Sequence, residues 1–88
     1  MSRILKIKEL LTQELTPDLI EIVDNSKQHE KHAGIEVGQK ETHLYIKIIS
    51  KKFETLNKVE SHKLVYGLLN AEFNKGLHAL ELELSDSN

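Results

Sequence analysis

Five histidines and no cysteine set the chemistry open to this 88-residue chain. Imidazole is the side chain that changes charge near neutral pH and the commonest metal ligand, so His29, His32, His43, His62 and His78 are the candidates for proton transfer or metal binding. Without a thiol, disulfides, a cysteine nucleophile, a zinc ribbon and a self-contained iron–sulfur cluster are all excluded, and any sulfur ligand has to come from a partner. His29 and His32 stand at i, i+3 in a polar stretch, a spacing that suits an opportunistic metal site or two solvated side chains. Asp24 with His29 suggests acid–base chemistry, but no nucleophile, oxyanion site, glycine-rich phosphate loop or paired buried carboxylates accompany them. A non-enzymatic protein is therefore expected.

The elements that must position these histidines follow from hydrophobic periodicity. Ile4, Ile7, Leu11 and Leu15 recur at helical spacing, with Leu5 and Leu10 flanking, and predict a helix over 3–15 that ends at Thr16-Pro17. Leu19 to Val23 alternates as a short strand. Asp24 to Glu41 is polar, carries Gly34 and Gly38, and reads as a long loop holding His29 and His32; connections of that length inside a compact domain are usually functional or disordered. Leu44 to Ile49 is a second strand, which His43 precedes. Asn57 followed three residues later by Glu60 is a capping box, so a second helix runs from Lys58 to about Phe73 and stops at Gly76. Its apolar residues cover most of the helical wheel, predicting a mostly buried helix with His62 packed at its start. Leu77 to Leu84 is a third strand, with His78, Leu80, Leu82 and Leu84 on one face; pattern alone makes His78 a histidine at the core edge, bonded to backbone. Ser85 to Asn88 should fray.

Helix, strand, strand, helix, strand is a small α+β domain. Strands 1 and 2 should pair antiparallel, strands 2 and 3 parallel through the helical crossover, and two helices should cover one face of the mixed three-stranded sheet. A hydrophobic fraction of 39% and a charged fraction of 30% are ordinary for a soluble chain. No apolar run nears the length of a membrane helix, the first residues lack a secretory pattern, and a single cytoplasmic domain without membrane association is expected. The net charge of −2 argues against a strong nucleic-acid footprint.

Several of these residues together are similar to the BolA family: Phe53 after the second strand, Ser61-His62-Lys63-Leu64-Val65-Tyr66 at a helix start, and Leu77-His78-Ala79-Leu80 after a glycine-terminated turn. The resemblance implies a KH-like αββαβ sandwich over residues 1–88. It also implies a non-enzymatic adaptor that binds a monothiol glutaredoxin and shares a [2Fe–2S] cluster with it and glutathione, in iron–sulfur assembly or iron homeostasis. On that reading His78 matches the family's cluster-ligating histidine. Val23-Asp-Asn-Ser-Lys-Gln-His29 matches the loop segment that supplies the second ligand, His29, with His32 as a substitute. His43, in Glu41-Thr-His, and His62 are left structural roles. Rieske centres, in which two histidines replace two cysteines on one iron, make such mixed ligation chemically coherent.

The second activity that the resemblance implies is transcriptional regulation through DNA. Lys51, Lys52, Lys58 and Lys63 could contact phosphates. The family's arginines beside the helix-start histidine are replaced by Ser61 and Lys63, no Gly-x-x-Gly clamp is present, and Glu54 and Glu60 interrupt the basic residues, so DNA binding is the weaker alternative. When free, the protein is expected to be a monomer or weak homodimer.

Overall fold

A computed structural model describes residues 2–25 and 42–87; the expected loop ligands His29 and His32 lie outside them. The order is α1 (Arg3–Leu15), β1 (Leu19–Asp24), β2 (His43–Ile49), a 3-10 turn (Lys51–Phe53), α2 (Lys58–Leu68), α3 (Asn70–Asn74) and β3 (Ala79–Ser85). The expected α+β order holds, with the second helix divided.

Ser2 caps α1, its hydroxyl accepting the Leu5 amide at 3.1 Å, and the helix buries Ile7, Leu11 and Leu15 along one stripe. It closes at Thr16, held at φ 40, because Pro17 disfavours a helical residue before it. The sheet order is β1-β2-β3. β1 runs antiparallel to β2 with Leu19 opposite Ile49 and Asp24 opposite Leu44. β2 runs parallel to β3 with His43 opposite Ala79 and Ile49 opposite Ser85. Leu44, Ile46, Ile48 and Leu80 meet Ile7, Leu11 and Leu15 of α1 and Val65 and Leu69 of the second helical segment in one core. The opposite face carries Glu21, Tyr45, Lys47, Glu81 and Glu83, so the helices cover one side only.

The turn after β2 is tied to α1. The fully buried Ser50 hydroxyl donates to the Leu15 carbonyl at 2.6 Å and accepts the Lys52 amide at 3.2 Å, while Lys52 Nζ reaches the Glu14 carbonyl at 3.1 Å. These bonds satisfy carbonyls at the end of α1 that have no partner within the helix. The capping box at α2 is complete: Glu60 N donates to Asn57 Oδ1 at 2.8 Å and Asn57 N to Glu60 Oε1 at 2.9 Å.

Three sequence expectations are corrected. The helix from Lys58 does not continue unbroken to Phe73: Leu69, at φ −98 and ψ 8, shares its amide between the Val65 and Tyr66 carbonyls and separates α2 from α3. Gly67 and Asn70, both poor helix formers, flank that break. Nor is α2 mostly buried. Only Ser61 and Val65 are, whereas Val59, Leu64 and Tyr66 are exposed, because this helix lies on the core by a narrow stripe. Finally, β3 starts at Ala79, and His78 is exposed instead of sharing the core face of Leu80. No described helix is long and apolar enough to cross a membrane.

Candidate metal centre

His78 is placed by its neighbours. α3 ends in a turn through Gly76, whose φ of 120 favours glycine, and the Leu77 amide folds back onto the Glu72 carbonyl at 3.0 Å. Leu77 is buried at 3% exposure and anchors the turn. The next two amides, His78 and Ala79, both donate to the Thr42 carbonyl, at 2.7 and 3.1 Å. The sequence Leu77, His78, Ala79, Leu80 is thus buried, exposed, exposed, buried, which breaks the period of two that put His78 with Leu80.

The same carbonyl belongs to the residue before His43. Thr42 is buried, and its Oγ1 lies 3.1 Å from His43 Nδ1. Because β2 and β3 are parallel and each is entered through a histidine, His43 and His78 arrive side by side: their ring centres are 5.8 Å apart and their planes are inclined by 35°. His43 is half-buried and His78 exposed. Beside them a cavity of about 80 Å³ is lined by Asn25, His43, Leu44, Ala79, Leu80 and Glu81. The Asn25 amide donates to the His43 carbonyl at 2.8 Å. Residues 26–41, which include His29 and His32, connect Asn25 to Thr42, and both of these stem residues bond to the histidine-bearing strand ends.

The other sequence-derived candidates lie elsewhere. His62, half-buried near the start of α2, has Nδ1 2.8 Å from the Lys58 carbonyl, which requires a proton on that nitrogen. Lys58, Val59, His62, Lys63 and Tyr66 line a shallow surface depression of about 430 Å³. Lys51 and Lys52 sit in the 3-10 turn, and all four lysines are exposed. Tyr66 ties α2 to β3, its hydroxyl donating to the Leu80 carbonyl at 2.9 Å and its ring stacking on Phe73.

Sequence reasoning missed the approach of His43 to His78. The approach follows from strand register, since His78 stands one residue before Ala79, the partner of His43 across the parallel pair. It also missed Tyr45, whose hydroxyl donates to Glu83 across the open face of the sheet. That bond, with some desolvation and the neighbouring carboxylates of Glu83, Glu21 and Glu81, raises the Tyr45 pKa above that of an ordinary tyrosine.

The donors suit a shared metal group. An exposed imidazole at a strand end can offer nitrogen to a metal group, and the chain has no thiol to add to it. Among the described residues no group of three or more His, Cys, Asp or Glu side chains could enclose a metal by itself.

Comparison with known proteins agrees with this architecture. Residues 11–87 fit the family described as BolA-like protein. Protein BOLA1, chloroplastic, of Arabidopsis thaliana is 45% identical over 82 residues, covering 92% of this chain and 51% of the relative. The DNA-binding transcriptional regulator BolA of Haemophilus influenzae is 33% identical over 78 residues, covering 89% of this chain and 71% of the relative. The solved BolA domain of SufE1 from Arabidopsis thaliana superposes with a TM-score of 0.86 at 37% identity, over 98% of this chain and 94% of that one. The chain spans about half the length of BOLA1.

Proposed function

The chain belongs to the BolA-like protein family, and on that premise we propose that it is a non-enzymatic adaptor for a monothiol glutaredoxin. His78, with His29, shares a [2Fe–2S] cluster with that partner and glutathione, in iron–sulfur cluster assembly or iron homeostasis. The observation that carries this reading is the His78 imidazole itself. It is exposed, set at a strand entry by two backbone hydrogen bonds, and offered by a protein with no sulfur ligand of its own. His29 enters through family pattern and through the loop stems that bond beside His43 and His78; His32 is its substitute.

When bound, the cluster would supply redox and sulfur-transfer chemistry. This chain's part is to hold imidazole nitrogens at a fixed strand end and to keep them neutral, since only a deprotonated nitrogen ligates. Reconstitution of the protein with a monothiol glutaredoxin, glutathione, iron and sulfide tests the reading. A heterocomplex with [2Fe–2S] absorption and visible dichroism is expected. A complex that forms identically without iron, and never acquires those bands, would leave only a protein-interaction module.

A second reading, a DNA-binding transcriptional regulator, is favoured by the name of the Haemophilus relative and by Lys58 and Lys63 flanking one exposed depression. It is the weaker one, because the chain is net acidic and exposed Glu54 and Glu60 interleave with the lysines. Binding to duplex DNA that falls steeply with salt and drops in Lys58→Ala or Lys63→Ala would support it; undetectable binding at low ionic strength would remove it.

A further inference from the structure

We infer that the exposed flank of α2 lined by Lys58, Val59, His62, Lys63 and Tyr66 is a docking surface for an amphipathic helix of another protein, apolar along one stripe and acidic on both sides of it. The surface shares no residue with the proposed cluster site.

Helical periodicity builds the surface. Val59 and Tyr66 stand at i and i+7, two turns or ~10.5 Å apart along the axis, and so share one side of α2 with His62 between them. The helix meets the core through Ser61 and Val65 instead, which leaves Val59 61% and Tyr66 40% exposed over a depression of about 430 Å³. Apolar groups at this spacing are what a docking helix engages, through anchors of its own at i, i+3 or i+4, and i+7. Two side chains of the surface are already held: His62 Nδ1 donates to the Lys58 carbonyl at 2.8 Å, and the Tyr66 hydroxyl donates to the Leu80 carbonyl at 2.9 Å while its ring stacks on Phe73. Docking therefore loses little conformational freedom on this side.

Charge selects the occupant. At about 100° of rotation per residue, Lys58 and Lys63 fall on opposite sides of the line from Val59 to Tyr66, and both are exposed. Among the described residues neither ammonium stands in an ion pair, and the acid between them in sequence, Glu60, is engaged by the Asn57 amide at 2.9 Å. A helix with aliphatic anchors and carboxylates on both flanks meets the apolar stripe and the two cations together. Phosphates would be drawn by the lysines but would place nothing on Val59 and Tyr66. A second copy of this chain pairing through the same face would set lysines against lysines. Contact over two helical turns is smaller than a standard interface, so the complex is a transient one.

The test is titration of the full chain with a synthetic peptide, stapled as a helix and blocked at both ends, that carries leucines at i, i+4 and i+7 and glutamates on either side of them. Amide ¹H–¹⁵N shifts should change in a cluster over residues 58–66, saturate below about 1 mM peptide and weaken with added salt. Val59→Asp puts an acid near the helix start, where it is well tolerated, and should weaken binding about tenfold or more with the amide spectrum otherwise kept. Lys58→Glu combined with Lys63→Glu should do the same, and that variant should prefer a peptide with lysine at every glutamate position. No shift changes on α2 at about 1 mM, equal binding of acidic and basic peptides by the wild-type chain, or unchanged affinity in Val59→Asp would each overturn the proposal. It would also be overturned by shifts over 58–66 that follow protein concentration alone, which would give the face to a second copy. Tighter binding of a short DNA duplex to the same residues would overturn it in favour of nucleic acid.

Discussion

The Thr42 carbonyl accepts the His78 amide at 2.7 Å, and the Ala79 amide as well, at 3.1 Å. A regular parallel ladder spaces its hydrogen bonds evenly, so two consecutive donors on one acceptor bring the chain into β3 out of phase. The consequence is chemical: Leu77 and Leu80 take the buried positions, and the imidazole between them is left outside. A strand in regular phase would have turned that ring onto the core.

The turn that delivers His78 depends on Gly76. Its φ of 120 is one that residues with a Cβ rarely adopt, whatever the space around it. Gly76→Ala should therefore lower stability by about 1–3 kcal/mol, read as a shift of the urea midpoint at constant slope. An unchanged midpoint would show that the backbone at Gly76 can relax without cost.

Arg3 joins the first helix to the end of the last. Its Nε donates to Glu72 Oε1 at 2.9 Å and its Nη2 to the Lys75 carbonyl at 3.0 Å, with the two charged side chains only 17% and 11% exposed. Glu72→Gln should cost about 1–3 kcal/mol, because the ion pair is largely shielded from water. Arg3→Lys should lose part of the same energy, since an ammonium cannot reproduce the guanidinium's two-pronged geometry. In a double-mutant cycle the two substitutions should fall short of additivity by about 0.5 kcal/mol or more, and strict additivity would remove the pair from the account.

Tyr45 should be slow to ionise. Its hydroxyl donates to Glu83, and removing the proton would set a phenolate against that carboxylate, with Glu21 and Glu81 close by on the same open face. The folded pKa is raised above the unfolded value near 10, so any stabilisation from this bond is present below pH ~10 and is lost as pH climbs through the folded value. Alkaline titration of tyrosine absorbance should therefore lose its later-titrating component in Tyr45→Phe. In Glu83→Gln that component should move down toward the ordinary tyrosine range; a Tyr45 that titrates identically with and without Glu83 would contradict the assignment.

Much of this fold could be read from local patterns. The stripe of Ile7, Leu11 and Leu15, the stop at Thr16-Pro17, the Asn57–Glu60 capping box and the glycine at 76 each act within a few residues, and each stands where the sequence put it. The misreadings arose where distant residues decide. Apolar Val59, Leu64 and Tyr66 implied a buried helix, but a three-stranded sheet already covered by α1 has room only for the Ser61 and Val65 stripe. His78 was assigned to the core face because alternation was taken to begin before Ala79, whereas a carbonyl from another strand resets its phase. The neighbourhood of His43 and His78 is a consequence of register between strands, a property of the pair and of neither sequence segment alone.

His78 carries the central claim, and the most direct measurement is the visible absorption and circular dichroism of a heterocomplex reconstituted with monothiol glutaredoxin, glutathione, iron and sulfide. Because the side chain is exposed and His78 bonds to Thr42 through its backbone amide, His78→Ala should keep its fold. The account predicts that this variant loses the heterocomplex [2Fe–2S] bands seen with the wild-type chain. Bands unchanged in intensity and dichroism in His78→Ala would contradict it.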